Sequence, residues 1–156
     1  MERTFIIIKP DAVGRGLVGR ILQRFEDKGL RIVALKILRI SMALARKHYA
    51  EHKNKPFYPG LLRFIAAGPS VAAVIEGKNA VEVCRRMLGV TAGWRAEPGT
   101  IRGDFGVSDR YNLVHASDSR RSAKREIALY FRPAEMVKYS RNDMRWIYDL
   151  NEKKPL

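Results

Sequence analysis

The 156-residue chain contains a single cysteine, Cys84. One thiol excludes an internal disulfide and a zinc ribbon, and it favours a reducing compartment. Long apolar runs are also lacking. Phe5 to Ile8 and Val71 to Ile75 are the longest, far short of the roughly 20 residues a membrane span needs. Glu2 and Arg3 lead straight into a strand-like run, so no signal peptide is expected there and a cytoplasmic location follows. Acidic residues are scarce, 16 against 30 Lys and Arg, for a formal charge of +14. That excess invites a polyanion: nucleic acid, anionic lipid or nucleotide phosphates. Disorder and coiled coil are excluded by a hydrophobic fraction of 46 %, and the length suits one domain over 1–156.

Thr4 to Lys9 is a short β-branched and aromatic run ending at Pro10, which predicts a buried strand. Leu17, Val18, Ile21, Leu22 and Phe25 recur at helical spacing before Gly29. Leu30 to Ile40 and Val71 to Glu76 predict further strands. Ser41 is placed to cap a helix, and Asn79 with Glu82 resembles a capping box opening another that ends at Gly89. Pro-punctuated KPFYPG (55–60) precedes a short helix over Leu61–Ile65. Val90 to Phe105 is rich in Gly and Pro and too long for an idle connection. Asn112 to His115 predicts a strand. Asp118 or Ser119 then caps a helix bearing Ile127, Ala128 and Phe131, stopped by Pro133. This order fits an α+β, ferredoxin-like βαββαβ core: a mostly antiparallel four-stranded sheet with helices on one face. The polar tail from Lys138 to Leu156 is expected to wrap the surface or a neighbouring subunit.

Gly14, Gly16 and Gly19 match G-x-G-x-x-G between a strand and a helix. A dinucleotide fold also needs an acid about 20 residues on, and none occurs between Asp27 and Glu51. The glycines read instead as a turn and close packing. No P-loop motif is present. Strands without paired exposed aromatics do not resemble an RNA-binding sheet, and the Arg120, Arg121, Lys124, Arg125 cluster reads as a solvated helix face. His48 and His52 stand four apart, but without a nearby carboxylate pattern they make a poor zinc site. His115 is more informative, ending a strand just before a helix start. Imidazole titrates at about 6.5, so it is largely neutral and nucleophilic at pH 7 without a dedicated base, and a helix start favours anions. Lys9, Arg85 and Arg102 are cations spread along the chain, and a triphosphate would need such groups to converge.

ERTFIIIKPDAVGRGLVGRIL, HY…KPFYPGL, RRMLG…T, PGTIRGDF and NLVHASDS together resemble the nucleoside diphosphate kinases, in order and with family-like spacing. The resemblance implies transfer of the γ-phosphate of a nucleoside triphosphate, mainly ATP, to nucleoside or deoxynucleoside diphosphates. It implies ping-pong kinetics through a phosphohistidine, with Mg²⁺ held mainly by the nucleotide. On this resemblance His115 is the nucleophile. Lys9 contacts the sugar hydroxyl and the transferring phosphate, and Tyr49 lies close to both. Phe57 stacks on the base. Arg85 and Thr91 hold the β-phosphate, Arg102 reaches the terminal phosphates and Asn112 meets the ribose 3′-hydroxyl. Ser117 and Glu126 orient the imidazole. A homo-oligomer is implied, a hexamer before a tetramer, and the charge leaves room for incidental nucleic-acid binding. Three departures stand out: Ala116 in place of a usual Gly, the Thr91-Ala92-Gly93-Trp94 stretch, and Asp109 where an apolar residue is common near the base.

Overall fold

A computed structural model describes residues 1–149. Four strands form one sheet: β1 (Glu2–Ile8), β2 (Arg31–Arg39), β3 (Pro69–Gly77) and β4 (Val114–Ala116). Their order is β2-β3-β1-β4, and all three pairings are antiparallel. The ferredoxin-like arrangement expected from the element order is therefore present.

The helices, however, are not confined to one face. Alternation along β1 sends Ile6 and Ile8 to one core and Phe5 and Ile7 to another. The first core is closed by α1 (Pro10–Gly14), α2 (Val18–Asp27), α5 (Ala80–Leu88) and α6 (Ile101–Phe105), through Ala12, Ile21, Phe25, Cys84, Leu88 and Ile101. The second is closed by α3 (Met42–His48), α4 (Tyr58–Ala66) and α7 (Arg120–Tyr130), through Ala45, Leu62, Ile65 and Tyr130. Uninterrupted apolar runs such as FIII and VAAVI are what a sheet covered on both sides requires.

Local chemistry sets several ends. The Ser41, Thr100 and Ser119 hydroxyls accept the Leu44, Gly103 and Ser122 amides and start α3, α6 and α7. Asn79 makes no such bond; it sits in the left-handed region at φ 51°, so the expected capping box does not form. Phe131 lies one residue past α7. The Val90–Phe105 stretch holds a 3-10 turn at Gly93–Arg95 followed by α6. Of the three glycines in the G-x-G-x-x-G match, only Gly16 has a positive φ, 67°, and none has a neighbour within 4 Å of a would-be Cβ. They serve a turn and no close packing.

The described part of the tail, including α8 (Met144–Ile147), lies on its own domain. The Tyr139 hydroxyl donates to Ile32 O and Arg141 to Glu26 O. Residues 150–156 of the tail lie outside the described residues.

Candidate active site

The site forms where β1 and β4 run side by side, with Ile7 opposite His115. That register turns His115 towards the face that carries α3 and α7. Behind the ring, Glu126 on α7 accepts two hydrogen bonds at Oε2, from Ser117 Oγ at 2.5 Å and from His115 Nε2 at 3.0 Å. Glu126 and Ser117 are both buried. Arg125, the next residue along α7, donates to Lys47 O and His48 O and so ties α7 to the end of α3, where cations are favoured.

A tight reversal precedes β4. The Val114 amide donates to Asn112 O at 2.8 Å, and the residue between them, Leu113, has φ 71°. An i to i+2 bond around a positive φ is the rarer, strained γ-turn. Several bonds hold it. The Leu113 amide donates to Asp11 Oδ2 and its carbonyl accepts the Lys9 amide. Arg102 on α6 then bridges the turn, donating from Nε to Asn112 O at 3.1 Å and from Nη2 to Val114 O at 2.7 Å. Its Nη1 reaches Gly89 O at 2.9 Å. Burial, and then Arg85, lower the Arg102 pKa to about 10. Three of its five N–H groups thus hold backbone, and two are left for a ligand.

Asn112 is equally committed. Its Oδ1 accepts Lys9 Nζ at 2.5 Å, and its Nδ2 donates to Thr91 O and Asp109 O. One lone pair on Oδ1 remains for a hydroxyl donor. Lys9 is buried, and that burial followed by the Arg102 charge pushes its ammonium down to about 8. Tyr49, just past α3, is buried with an unpartnered hydroxyl, and burial raises its pKa. Arg85 on α5 reaches Ala116 O at 3.4 Å.

These groups surround a cavity of about 560 Å³. Lys9, Tyr49, Phe57, Arg85, Thr91, Arg102, Asn112 and His115 all line it, so eight of the ten residues expected from the resemblance converge, and Ser117 and Glu126 stand behind the imidazole. Phe57 is half exposed, with its ring 5.6 Å from that of His52. His52, Leu61 and Arg110 also line the cavity, and no motif marked them. Ala116 lies in β4 without a positive φ, so its methyl is accommodated. The two other departures meet: Trp94 Nε1 donates to Asp109 Oδ1 at 3.1 Å beside the cavity.

A sequence model of nucleoside diphosphate kinases matches residues 2–136. The chain belongs to the nucleoside diphosphate kinase family. Among its relatives, the nucleoside diphosphate kinase of Thermus thermophilus is 58 % identical over 137 residues, covering 88 % of this chain and all of that one. That of Gloeobacter violaceus is 54 % identical over 149 residues, 96 % of this chain and all of its own length. Among solved structures, the halophilic nucleoside diphosphate kinase of Halobacterium salinarum in complex with CDP superposes with a TM-score of 0.92 at 48 % identity, covering 94 % of this chain and 98 % of that one. For a nucleoside diphosphate kinase the convergence of cations on one imidazole has a direct use, since the family moves phosphate between nucleoside triphosphates and diphosphates through a phosphohistidine.

Proposed function

We propose that His115 Nδ1 is the atom that carries the phosphoryl group, and that the cavity beside it holds the nucleotide. The observation that carries this reading is the bond from His115 to Glu126 at the wall of a cavity lined by Lys9, Arg85 and Arg102. A carboxylate only accepts, so His115 Nε2 bears the single proton of the neutral ring, and Nδ1 keeps its lone pair. Ser117 donates to the same oxygen and fixes the carboxylate.

In the first half-reaction Nδ1 attacks the γ-phosphorus in line. An N–P bond forms, the bond to the β,γ-bridging oxygen breaks, and the diphosphate leaves with the electron pair. A second diphosphate then attacks phosphorus through a terminal β-oxygen, and the N–P bond breaks to regenerate the neutral imidazole. Lys9 and the two remaining N–H groups of Arg102 balance charge on the moving group. Arg85 and Thr91 hold the β-phosphate, and the ribose 3′-hydroxyl donates to the free lone pair of Asn112 Oδ1. Tyr49 packs against the ring of His115, 6.3 Å between centroids.

Against Lys9, Arg85, Arg102 and Arg110 the cavity has one carboxylate, Asp109, and Trp94 holds that one. Such a donor set fits Mg²⁺ that is held by phosphate oxygens and water rather than by a protein cage. When bound with the nucleotide, the ion supplies further charge neutralisation on the β- and γ-oxygens.

Phe57 supports a broad base range, because every base offers a π-face. Phe57→Ala is expected to raise KM about 5- to 30-fold for purine and pyrimidine diphosphates alike, at an order of 1–2 kcal/mol per stacked base. Steady-state kinetics with GDP and UDP check it.

The lowered pKa of Lys9 gives a pH dependence. The ammonium is needed charged, so kcat/KM should fall as pH rises through about 8. Bound phosphates hold the proton on, so the kcat limb should lie higher. In Lys9→Arg the limb should move out of range, since guanidinium stays charged. For stability the sign is opposite. Between about 8 and 10.5 the unfolded chain keeps a proton the folded chain has lost, so this group's contribution improves as pH rises.

We take residues 1–156 as one catalytic domain and the assembly as a homo-oligomer, a hexamer by family resemblance. Exposed Leu35 and Ile37 on edge strand β2, with Trp94 and Val107 elsewhere, support subunit contacts. The charge of +14 supports weak, salt-sensitive binding of nucleic acid as a side effect. A cytoplasmic location agrees with the one buried thiol, Cys84; among the described residues no helix is long and apolar enough to cross a membrane. The direct test of the reaction is incubation with ATP labelled in its γ-phosphate. A protein-bound label that survives alkali, is lost in acid and is discharged by any nucleoside diphosphate supports the reading; an unlabelled protein overturns it.

A further inference from the structure

One group beside His115 has no part in the transfer described above. His48, the last residue of α3, is 3 % exposed, and neither of its ring nitrogens has a hydrogen-bond partner. Buried polar atoms are normally satisfied, because an unpaired one costs free energy. The neighbours of this ring are Phe5, Tyr49, Tyr130 and His115. Its plane stands at 79° to that of His115 with centroids 4.7 Å apart. One nitrogen from each histidine and one oxygen of Glu126 all lie within 4.8 Å of one another.

Two imidazoles and a carboxylate form a known zinc donor set, which leaves a fourth position for water. Bonds of roughly 2.0–2.2 Å place tetrahedral ligand atoms about 3.3 Å apart. His115 Nε2 and Glu126 Oε2, at 3.0 Å, already meet that spacing, so closure asks only for a small shift of His48. Mg²⁺ prefers oxygen ligands and water and is a poor match. We propose that His48, His115 and Glu126 form a binding site for a d-block divalent cation such as Zn²⁺, and that filling it switches off the phosphoryl carrier.

The switching follows from proton bookkeeping in the ring and rests on Nδ1 being the nucleophile. The metal takes the lone pair of His115 Nε2, so that nitrogen can no longer carry the proton. A neutral imidazole must then hold its single proton on Nδ1. The nitrogen that attacks phosphorus becomes an N–H donor without a free pair. No net proton is gained or lost; the tautomer is reversed. Lys9 and Arg125 lie close enough to repel a cation, which sets the expected affinity in the micromolar range rather than tighter.

The test uses nucleotide-free full-length protein titrated with CoCl₂, read by visible d–d absorption and then displaced by ZnCl₂. One equivalent per chain with an intense visible band is expected, and His48→Gln should weaken binding at least ten-fold. No band in the wild type, or unchanged binding in His48→Gln, overturns the site. If circular dichroism shows that His48→Gln does not fold, zinc-edge X-ray absorption of the wild type decides: two imidazoles around the metal support the site, and one or none overturns it. A separate arm adds labelled ATP to the zinc-loaded protein. Loss of labelling that a zinc-selective chelator restores, with Mg²⁺ kept in excess, supports the switch. Labelling that persists with zinc bound overturns the switch but not the Nδ1 assignment, because Nδ1 is then the only ring nitrogen left to carry phosphorus; absent binding likewise leaves the phosphohistidine reading untouched.

Discussion

His115→Ala should lose nucleotide phosphotransfer by about 10⁴-fold or more and take up no acid-labile phosphate. No other group can replace it. A donor must present an unprotonated lone pair at neutral pH to the cavity where Lys9, Arg85 and Arg102 converge. Of the other two histidines, His48 lies behind the nucleophile, buried, and its pKa is lowered to about 2 by burial and by His115. His52 lies across Tyr49, beside Phe57. Because His115 is partly exposed and Glu126 retains Ser117, the variant should fold. Its melting temperature and its affinity for ADP should stay close to wild type. Measuring labelled phosphoenzyme beside ADP binding separates a lost nucleophile from a lost pocket. A fully labelled variant would exclude His115 as the carrier.

The second large effect is expected at Arg102, and it combines two losses. Arg102→Ala removes the donors to Asn112 O, Gly89 O and Val114 O. Leaving buried carbonyls unpaired costs about 1–3 kcal/mol each; with partial relaxation a total of about 3–5 kcal/mol is expected. For a chain of this size that lowers Tm by roughly 8–15 °C. Activity should fall a further ~10²- to 10³-fold, the scale of removing one preorganised charge donor from a transition state. Arg102→Lys discriminates between the two losses. Its ammonium restores charge but cannot span three carbonyls in the planar fork of a guanidinium. Part of the activity should therefore return while the Tm deficit persists. Calorimetry and steady-state kinetics on both variants check this, and an unchanged Tm in Arg102→Ala would mean the backbone does not depend on that side chain.

The γ-turn at Leu113 explains why so much of the site could be named from the chain while its construction could not. The family resemblance assigns ten residues to the nucleotide and the imidazole, and the cavity gathers eight of the ten. Nothing in NLVHASDS announces that Leu113 takes φ 71° or that Arg102 spends three donors on backbone, because both depend on contacts between segments distant in sequence. His48 escaped for the same reason. Judged against His52 on its own helix it lacks a carboxylate, and its acidic neighbour, Glu126, comes from α7. The two-sided burial of the sheet departs from the element order, which points to helices on one face, although the strands themselves carry its signal. FIII and VAAVI never alternate with polar residues, which a sheet with one wet face would demand. Asn79 is the reverse case. Its spacing to Glu82 fits a capping box, but its backbone turns left-handed and its side chain makes no cap hydrogen bond to the helix start.

The position of β4 has a consequence for how this enzyme can change. Thr91, Arg85 and Arg102, proposed above to meet phosphate, come from the layer of α5 and α6, whereas Ser117, Glu126 and Tyr49, proposed to set the ring, belong with α3 and α7. Among the described residues no hydrogen bond joins one set to the other. Yet both sets act on one mount: Arg85 and Arg102 donate to the carbonyls on either side of His115, Ala116 O and Val114 O, while Glu126 holds its ring from the opposite face. Changes at Ser117 or Glu126 should retune the ring and spare the grip, whereas a change at Arg102 should move both, so evolution, or an engineer, has more freedom on the α7 side than on the α6 side.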